Sequence, residues 1–74
     1  MDHTVEKVQE ARQRLIDTQY AQLKHVKIKQ LNGSTIVLEG KVSSFFMKQV
    51  AQQAVLRVDG ITLKNNLVVE ENLG

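Results

Sequence analysis

The amino-acid sequence predicts a two-layer α+β domain in which two helices pack on one face of a three-stranded mixed sheet. Apolar residues recur every three or four positions before residue 20 and again between residues 44 and 58, which indicates two amphipathic helices. Three other segments alternate apolar and polar residues, which is typical of strands with one buried face. The element order is therefore α-β-β-α-β, and the 74 residues make one domain.

The first helix is predicted over residues 4–20. Its apolar stripe consists of Val5, Val8, Ala11, Leu15, Ile16, Tyr20 and Leu23. Asp2 or Thr4 can accept a hydrogen bond from the first turn and cap the helix. Glu6 and Glu10 suit the positive end of the helix dipole.

Two strands follow, predicted over residues 25–31 and 35–42. The Asn32-Gly33 pair between them is a strong hairpin signal, so the strands should be antiparallel. The alternation places these residues on the inner face: Val26, Ile28, Ile36, Leu38 and Val42. It places these on the outer face: Lys27, Lys29, Val37, Glu39 and Lys41.

The second helix is predicted over residues 44–58 and the third strand over residues 61–70. Ser43 or Ser44 can cap the helix, and Asp59-Gly60 ends it. Its apolar stripe consists of Met47, Val50, Ala51, Ala54, Val55 and Val58. A helical crossover favours a parallel, right-handed connection between strands 2 and 3. The sequence leaves open whether strand 3 lies beside strand 1 or strand 2.

The composition excludes several classes of protein. The chain has no cysteine, so neither disulfide nor thiolate chemistry applies. No stretch approaches the roughly 18 apolar residues of a transmembrane helix. The start, MDHTVEKVQEARQR, lacks the apolar region of a signal peptide, so the chain as it stands is predicted to be cytoplasmic. A mature or excised form would be periplasmic or membrane-associated.

Charge is unevenly distributed along the chain. Residues 24–64 carry seven basic and two acidic side chains, whereas residues 1–23 carry three basic and four acidic ones. A basic field of this size can attract an anionic partner. A solvated face that keeps the domain soluble explains the same pattern, and both interpretations stay open.

The pattern of strand 2, helix 2 and strand 3 resembles a known family. The residues that carry the resemblance are Leu38, Gly40, Val42, Ser44, Lys48, Ala51, Ala54, Val58, Gly60, Ile61, Asn65 and Leu67. Together they are similar to the BON domain, a bacterial module of osmotic-stress and nodulation proteins, over residues 26–69. The resemblance implies an α-β-β-α-β fold and a role in binding phospholipid surfaces or other proteins, with no catalytic residues and no cofactor.

The sequence departs from that family at the start of helix 2. The family favours acidic or small residues there, and this chain has Phe45-Phe46. Neighbouring helical positions lie about 100° apart, so at least one of the two rings should be exposed. With Ser44, Lys41 and Lys48 nearby, the pair can bind an anionic lipid surface. There are two alternatives. The pair can contact another protein, or one ring can fill the end of the core while the other is an isolated surface residue.

A second candidate surface is the outer face of the sheet, with Lys27, Lys29 and Lys64 beside Lys41. It can meet lipid headgroups or another subunit, or its lysines can serve only to discourage aggregation. His3 and His25 are 22 residues apart and lack the Cys or carboxylate partners of a metal site. The strands contain no aromatic residues, which argues against a sheet that reads nucleic acid.

The sequence thus predicts a binding module with no enzymatic activity, no small-molecule substrate and no cofactor or metal. The preferred hypothesis is weak attachment to an anionic phospholipid or membrane surface. The alternative is a structural role, by self-association or by docking to a larger envelope protein.

Overall fold

A computed structural model describes the backbone of residues 3–71 and the side chains of residues 7–71. The elements are α1 (His3–Asp17), a 3₁₀ helix (Ala21–His25), β1 (Lys27–Gln30), β2 (Thr35–Val42), α2 (Phe45–Val55) and β3 (Thr62–Val69). The α-β-β-α-β order and the α+β class are confirmed. The predicted caps Asp2 and Thr4, and the side chains of His3, Val5 and Glu6, lie outside the described part.

The sheet has β2 at its centre. β1 pairs with β2 in antiparallel register, with Ile28 opposite Leu38. β3 pairs with β2 in parallel over eight positions, from Thr35 opposite Thr62 to Val42 opposite Val69. The strand order is therefore β1-β2-β3, which the sequence had left open.

Both helices cover the inner face of the sheet. The core consists of Ala11, Leu15, Leu23, Val26, Ile36, Leu38, Val42, Met47, Ala51, Val55, Val58 and Leu67. Ile28 is half-buried and packs against this core. All five residues predicted for the inner face of the hairpin therefore contribute to the core, as the strand alternation indicated.

The first helix is shorter than its pattern suggested. α1 ends at Asp17, and Gln19 has a positive φ of 67°, a left-handed conformation that turns the chain. The N–H of Gln19 bonds to the carbonyl of Ile16 at 3.0 Å and completes the turn. Ile16 and Tyr20, both predicted for the apolar stripe, are exposed. Their assignment to the buried face was wrong.

The segment after α1 forms a 3₁₀ helix that the sequence did not predict. Leu23, at its centre, is fully buried. His25 closes this helix instead of opening β1, because the Val26 N–H bonds back to the Leu23 carbonyl. The residues around the buried Leu23 therefore form the 3₁₀ helix, and β1 begins at Lys27 rather than at residue 25.

Helix α2 ends at Val55, and tighter turns carry the chain to Gly60. The N–H groups of Arg57 and Val58 bond three residues back, at 3.3 and 3.0 Å, as in a 3₁₀ turn. Gly60 has a φ of 75°, which a side chain would disfavour. Val58 is nevertheless buried, so its predicted place in the apolar stripe is correct although it lies outside the helix.

Candidate functional site

The start of α2 is fixed by a capping serine. Ser44 is extended, and its hydroxyl accepts a hydrogen bond from the Met47 N–H at 3.1 Å. Its carbonyl accepts the Lys48 N–H at 3.2 Å. Of the two serines proposed as caps, Ser44 performs this role, and its hydroxyl is directed to the helix backbone.

Ser43 is held from a different part of the chain. The side-chain amide of Gln22 accepts the Ser43 N–H at 2.8 Å and donates to the Ser43 hydroxyl at 2.9 Å. These two bonds attach the 3₁₀ helix to the residue that precedes the N-cap of α2. Sequence reasoning missed Gln22, because nothing local marks a partner 21 positions away.

Phe45 and Phe46 are both exposed, at 63% and 61% of their surface. The interpretation in which one ring fills the end of the core was therefore wrong. The Phe46 ring meets the Tyr20 ring edge-on, with centroids 6.4 Å apart and planes at 85°. Tyr20 is itself 42% exposed. We call Tyr20, Phe45 and Phe46 the aromatic surface.

The predicted basic residues divide between two faces. Lys48 lies in the first turns of α2 and is half-buried. Lys41 lies opposite Val68 on the outer face of the sheet, away from the helices. Its ammonium is 3.3 Å from the Glu70 carboxylate, so part of its charge is compensated. The structure thus places Phe45, Phe46, Ser44 and Lys48 on one helix and Lys41 on the other layer.

The outer face of the sheet is basic with an apolar centre. Lys27, Lys29 and Lys64 are exposed, and Lys29 pairs with Glu39 at 3.0 Å. Val37 lies between Lys29 and Lys64 in the register and is only 4% exposed. Long lysine side chains can cover an apolar neighbour with their aliphatic stems while their charges stay in water. This arrangement suits a solvated face.

Asn65 holds β3 against α2. Its Nδ2 donates to the Lys48 carbonyl at 3.1 Å and to Gln52 Oε1 at 3.3 Å. Its Oδ1 accepts the Leu67 N–H at 3.1 Å. Asn65 therefore forms a structural tie beneath the first half of α2.

A groove of about 430 Å³ separates α1 from α2. The residues that line it include Arg14, Asp17, Phe46, Val50, Ala54 and Arg57. Phe46 belongs both to this groove and to the aromatic surface. The sequence did not indicate the groove, because it depends on how the two helices lie side by side.

Within the described residues, no group of three or more His, Cys, Asp or Glu side chains is placed to hold a metal ion. His25 is exposed at the end of the 3₁₀ helix. None of the helices in the described part of the chain is long and apolar enough to cross a membrane.

Comparison of the sequence with protein-family models and with curated proteins gave no match.

Proposed function

We propose that this chain is a non-catalytic binding module that attaches weakly to anionic phospholipid surfaces through the start of α2. One observation carries the proposal: two adjacent phenylalanines are each more than half exposed at the start of a capped helix. Isolated apolar residues at a surface are ordinary, but a contiguous aromatic group is typical of an interaction site. Tyr20 extends the group through its edge-on contact with Phe46.

The expected binding energy is small. Burying one phenylalanine contributes roughly 1.5–3 kcal/mol. A lysine near an anionic membrane surface adds about 1 kcal/mol. Lys48 is in place on the same helix, whereas Lys41 contributes less because of Glu70. Attachment of this strength is reversible and depends on salt concentration.

The BON-like pattern of residues 26–69 supports the same proposal. That family is associated with bacterial stress responses and with envelope surfaces, which would give this module a membrane-associated, periplasmic role. We carry over no residue role from the family to the aromatic surface, because Phe45 and Phe46 are where this chain departs from it.

Co-sedimentation with vesicles tests the proposal. Vesicles of phosphatidylcholine with phosphatidylglycerol should bind the chain at low salt, and vesicles of phosphatidylcholine alone should bind it less. Phe45→Ser and Lys48→Gln should each reduce binding. Leu31→Ser is the matched control, because Leu31 is 62% exposed in the hairpin turn, outside the aromatic surface. Equal binding by Phe45→Ser and Leu31→Ser would refute the proposal.

A second candidate function is assembly through the sheet. Among the described residues, β3 pairs along only one edge, over all eight of its positions, and Val68 on its outer side is 57% exposed. An open strand of this length can pair with a further strand. Light scattering over a range of protein concentrations tests it. A strict monomer would rule out self-association, and an oligomer that Val68→Glu dissociates would favour it.

A further inference from the structure

We propose that the groove between α1 and α2 binds a single-chain anionic amphiphile, that is, a carboxylate or phosphate headgroup on one aliphatic chain. The site is separate from the membrane attachment proposed above, although Phe46 belongs to both. Its ligand is a dissolved or extracted molecule, whereas the aromatic surface would meet the plane of a bilayer.

The groove has the volume and the length that such a ligand needs. The helices run antiparallel, since Tyr20 beyond the end of α1 meets Phe46 at the start of α2, and the Lys7 ammonium reaches the Asp59 carbonyl at the other end. The volume of about 430 Å³ falls in the range of roughly 300–1,000 Å³ typical of small-molecule sites. Phe46 and Val55 are about 13.5 Å apart along α2, at about 1.5 Å per residue, and Arg57 lies two residues beyond the end of the helix.

The lining changes character along this length. Phe46, with Tyr20 against its ring, provides an aromatic end. In the middle, Val50 and Ala54 are half-buried and apolar, and Gln49 and Gln53 beside them are polar. Arg57 provides a cationic end. An aliphatic chain matches the first two parts, and an acidic headgroup matches the third.

Helix α1 contributes one cation and one anion to the lining. Arg14 also lines the groove, and its contact with Glu10 is long, at 4.0 Å, with both side chains about two-fifths exposed. Exposed pairs of this kind are weak, so Arg14 can turn to a stronger acceptor. Asp17 lies further along α1, towards Phe46, and its carboxylate accepts the Gln13 amide at 2.8 Å. It disfavours an anion at the aromatic end.

The headgroup class follows from the guanidinium groups. Arginine presents planar, forked donors that match the two oxygens of a carboxylate or phosphate. A neutral sugar or alcohol headgroup offers no such partner. The groove should therefore distinguish amphiphiles of equal chain length by their charge.

The test titrates the ¹⁵N-labelled chain with decyl phosphate, kept below the concentration at which it forms micelles. Backbone amide signals of Val50, Ala54 and Arg57 should shift with saturation. Decyl maltoside, with the same chain and a neutral headgroup, and inorganic phosphate, with no chain, should each shift them far less. Equal shifts with decyl maltoside, or saturation by phosphate alone, would overturn the proposal.

Variants separate this site from the aromatic surface. Arg57→Gln and Arg14→Gln should each weaken decyl phosphate binding by roughly three- to tenfold, as expected when one partly exposed charged hydrogen bond is lost. Lys27→Gln, which removes an exposed cation from the outer sheet face, is the matched control. Gln53→Trp should block the groove, because Gln53 is an exposed lining residue. Binding that is as strong in Arg57→Gln as in Lys27→Gln would overturn the proposal.

The two proposals can fail independently. Phe45 is outside the groove lining, so Phe45→Ser should reduce vesicle attachment and leave decyl phosphate binding unchanged. Arg57→Gln should weaken decyl phosphate binding and leave vesicle attachment unchanged. Loss of decyl phosphate binding in Phe45→Ser, with the amide spectrum otherwise retained, would contradict a separate groove site.

Discussion

Helix α2 has two apolar regions, one buried and one exposed. Along its inner side, Met47, Ala51 and Val55 are buried against the sheet. At its first turn, Phe45 and Phe46 are exposed although they are the largest apolar residues of the helix. Both groups are apolar, so hydrophobicity does not explain why one is buried and the other exposed. The difference follows from their positions around the helix axis.

This difference separates stability from recognition. Buried apolar side chains stabilise the fold in proportion to the surface they remove from water. The exposed rings contribute little of that energy, so they can be replaced without loss of the fold. Substitutions in each region should therefore affect different measurements, and the predictions below test that separation.

The largest effect on stability is expected in the core beneath α2. Leu38→Ala, at a fully buried position of the central strand, should lower the free energy of unfolding by about 2–5 kcal/mol. Urea denaturation measures this loss. Leu31→Ala should stay within about 0.5 kcal/mol, because Leu31 is exposed. Similar losses in the two variants would mean that the apparent core does not determine stability.

Asn65 should rank next. Asn65→Ala removes the donor to the Lys48 carbonyl and the acceptor for the Leu67 N–H, and should cost about 1–3 kcal/mol. Asn66→Ala is the control, because Asn66 is exposed on the outer face. Equal denaturation midpoints for both variants would show that Asn65 does not tie β3 to α2.

The cap of α2 should have a smaller effect. Ser44→Ala removes the acceptor for the Met47 N–H and should cost about 1 kcal/mol, whereas Ser44→Asp should retain most of the stability. Ser34→Ala, in the exposed hairpin turn, should change it far less. If Ser44→Asp is as unstable as Ser44→Ala, the capping role is incorrect.

Substitution of Phe45 should have the smallest effect on stability and the largest effect on vesicle attachment. Phe45→Ser should change the free energy of unfolding by no more than about 0.5 kcal/mol, as expected for an exposed side chain. In co-sedimentation with anionic vesicles, the same variant should lose most of its binding. A large drop in stability would instead place Phe45 in the fold and remove the separation between the two regions of α2.

Local patterns in the sequence determined much of the fold. β2 occupies Thr35–Val42, the range that its alternation predicted. The hairpin follows from Asn32-Gly33, where the Asn32 side chain accepts the N–H groups of Ser34 and Thr35. These features depend on residues close together in the chain, so periodicity and turn chemistry report them directly.

The candidate site was only partly predictable. The sequence identified Phe45-Phe46 and required at least one exposed ring, because adjacent helical positions cannot share one face. It did not indicate that Tyr20 would be exposed and contact Phe46, or that the Gln22 side chain would form hydrogen bonds with Ser43. Both contacts join segments more than 20 residues apart, and no local pattern encodes such distances.

The sequence by itself determined the two α-helices, the three strands, their order and the inward face of the hairpin, because these follow from local spacing and propensity. Only the tertiary structure decided that β3 lies beside β2, that the residues around Leu23 form a 3₁₀ helix with Leu23 in the core, and that α1 and α2 leave a groove lined by Phe46 and two arginines. These three features depend on how the helices and strands pack around one small core. Several arrangements satisfy the same local patterns equally well, so only the packing decides among them.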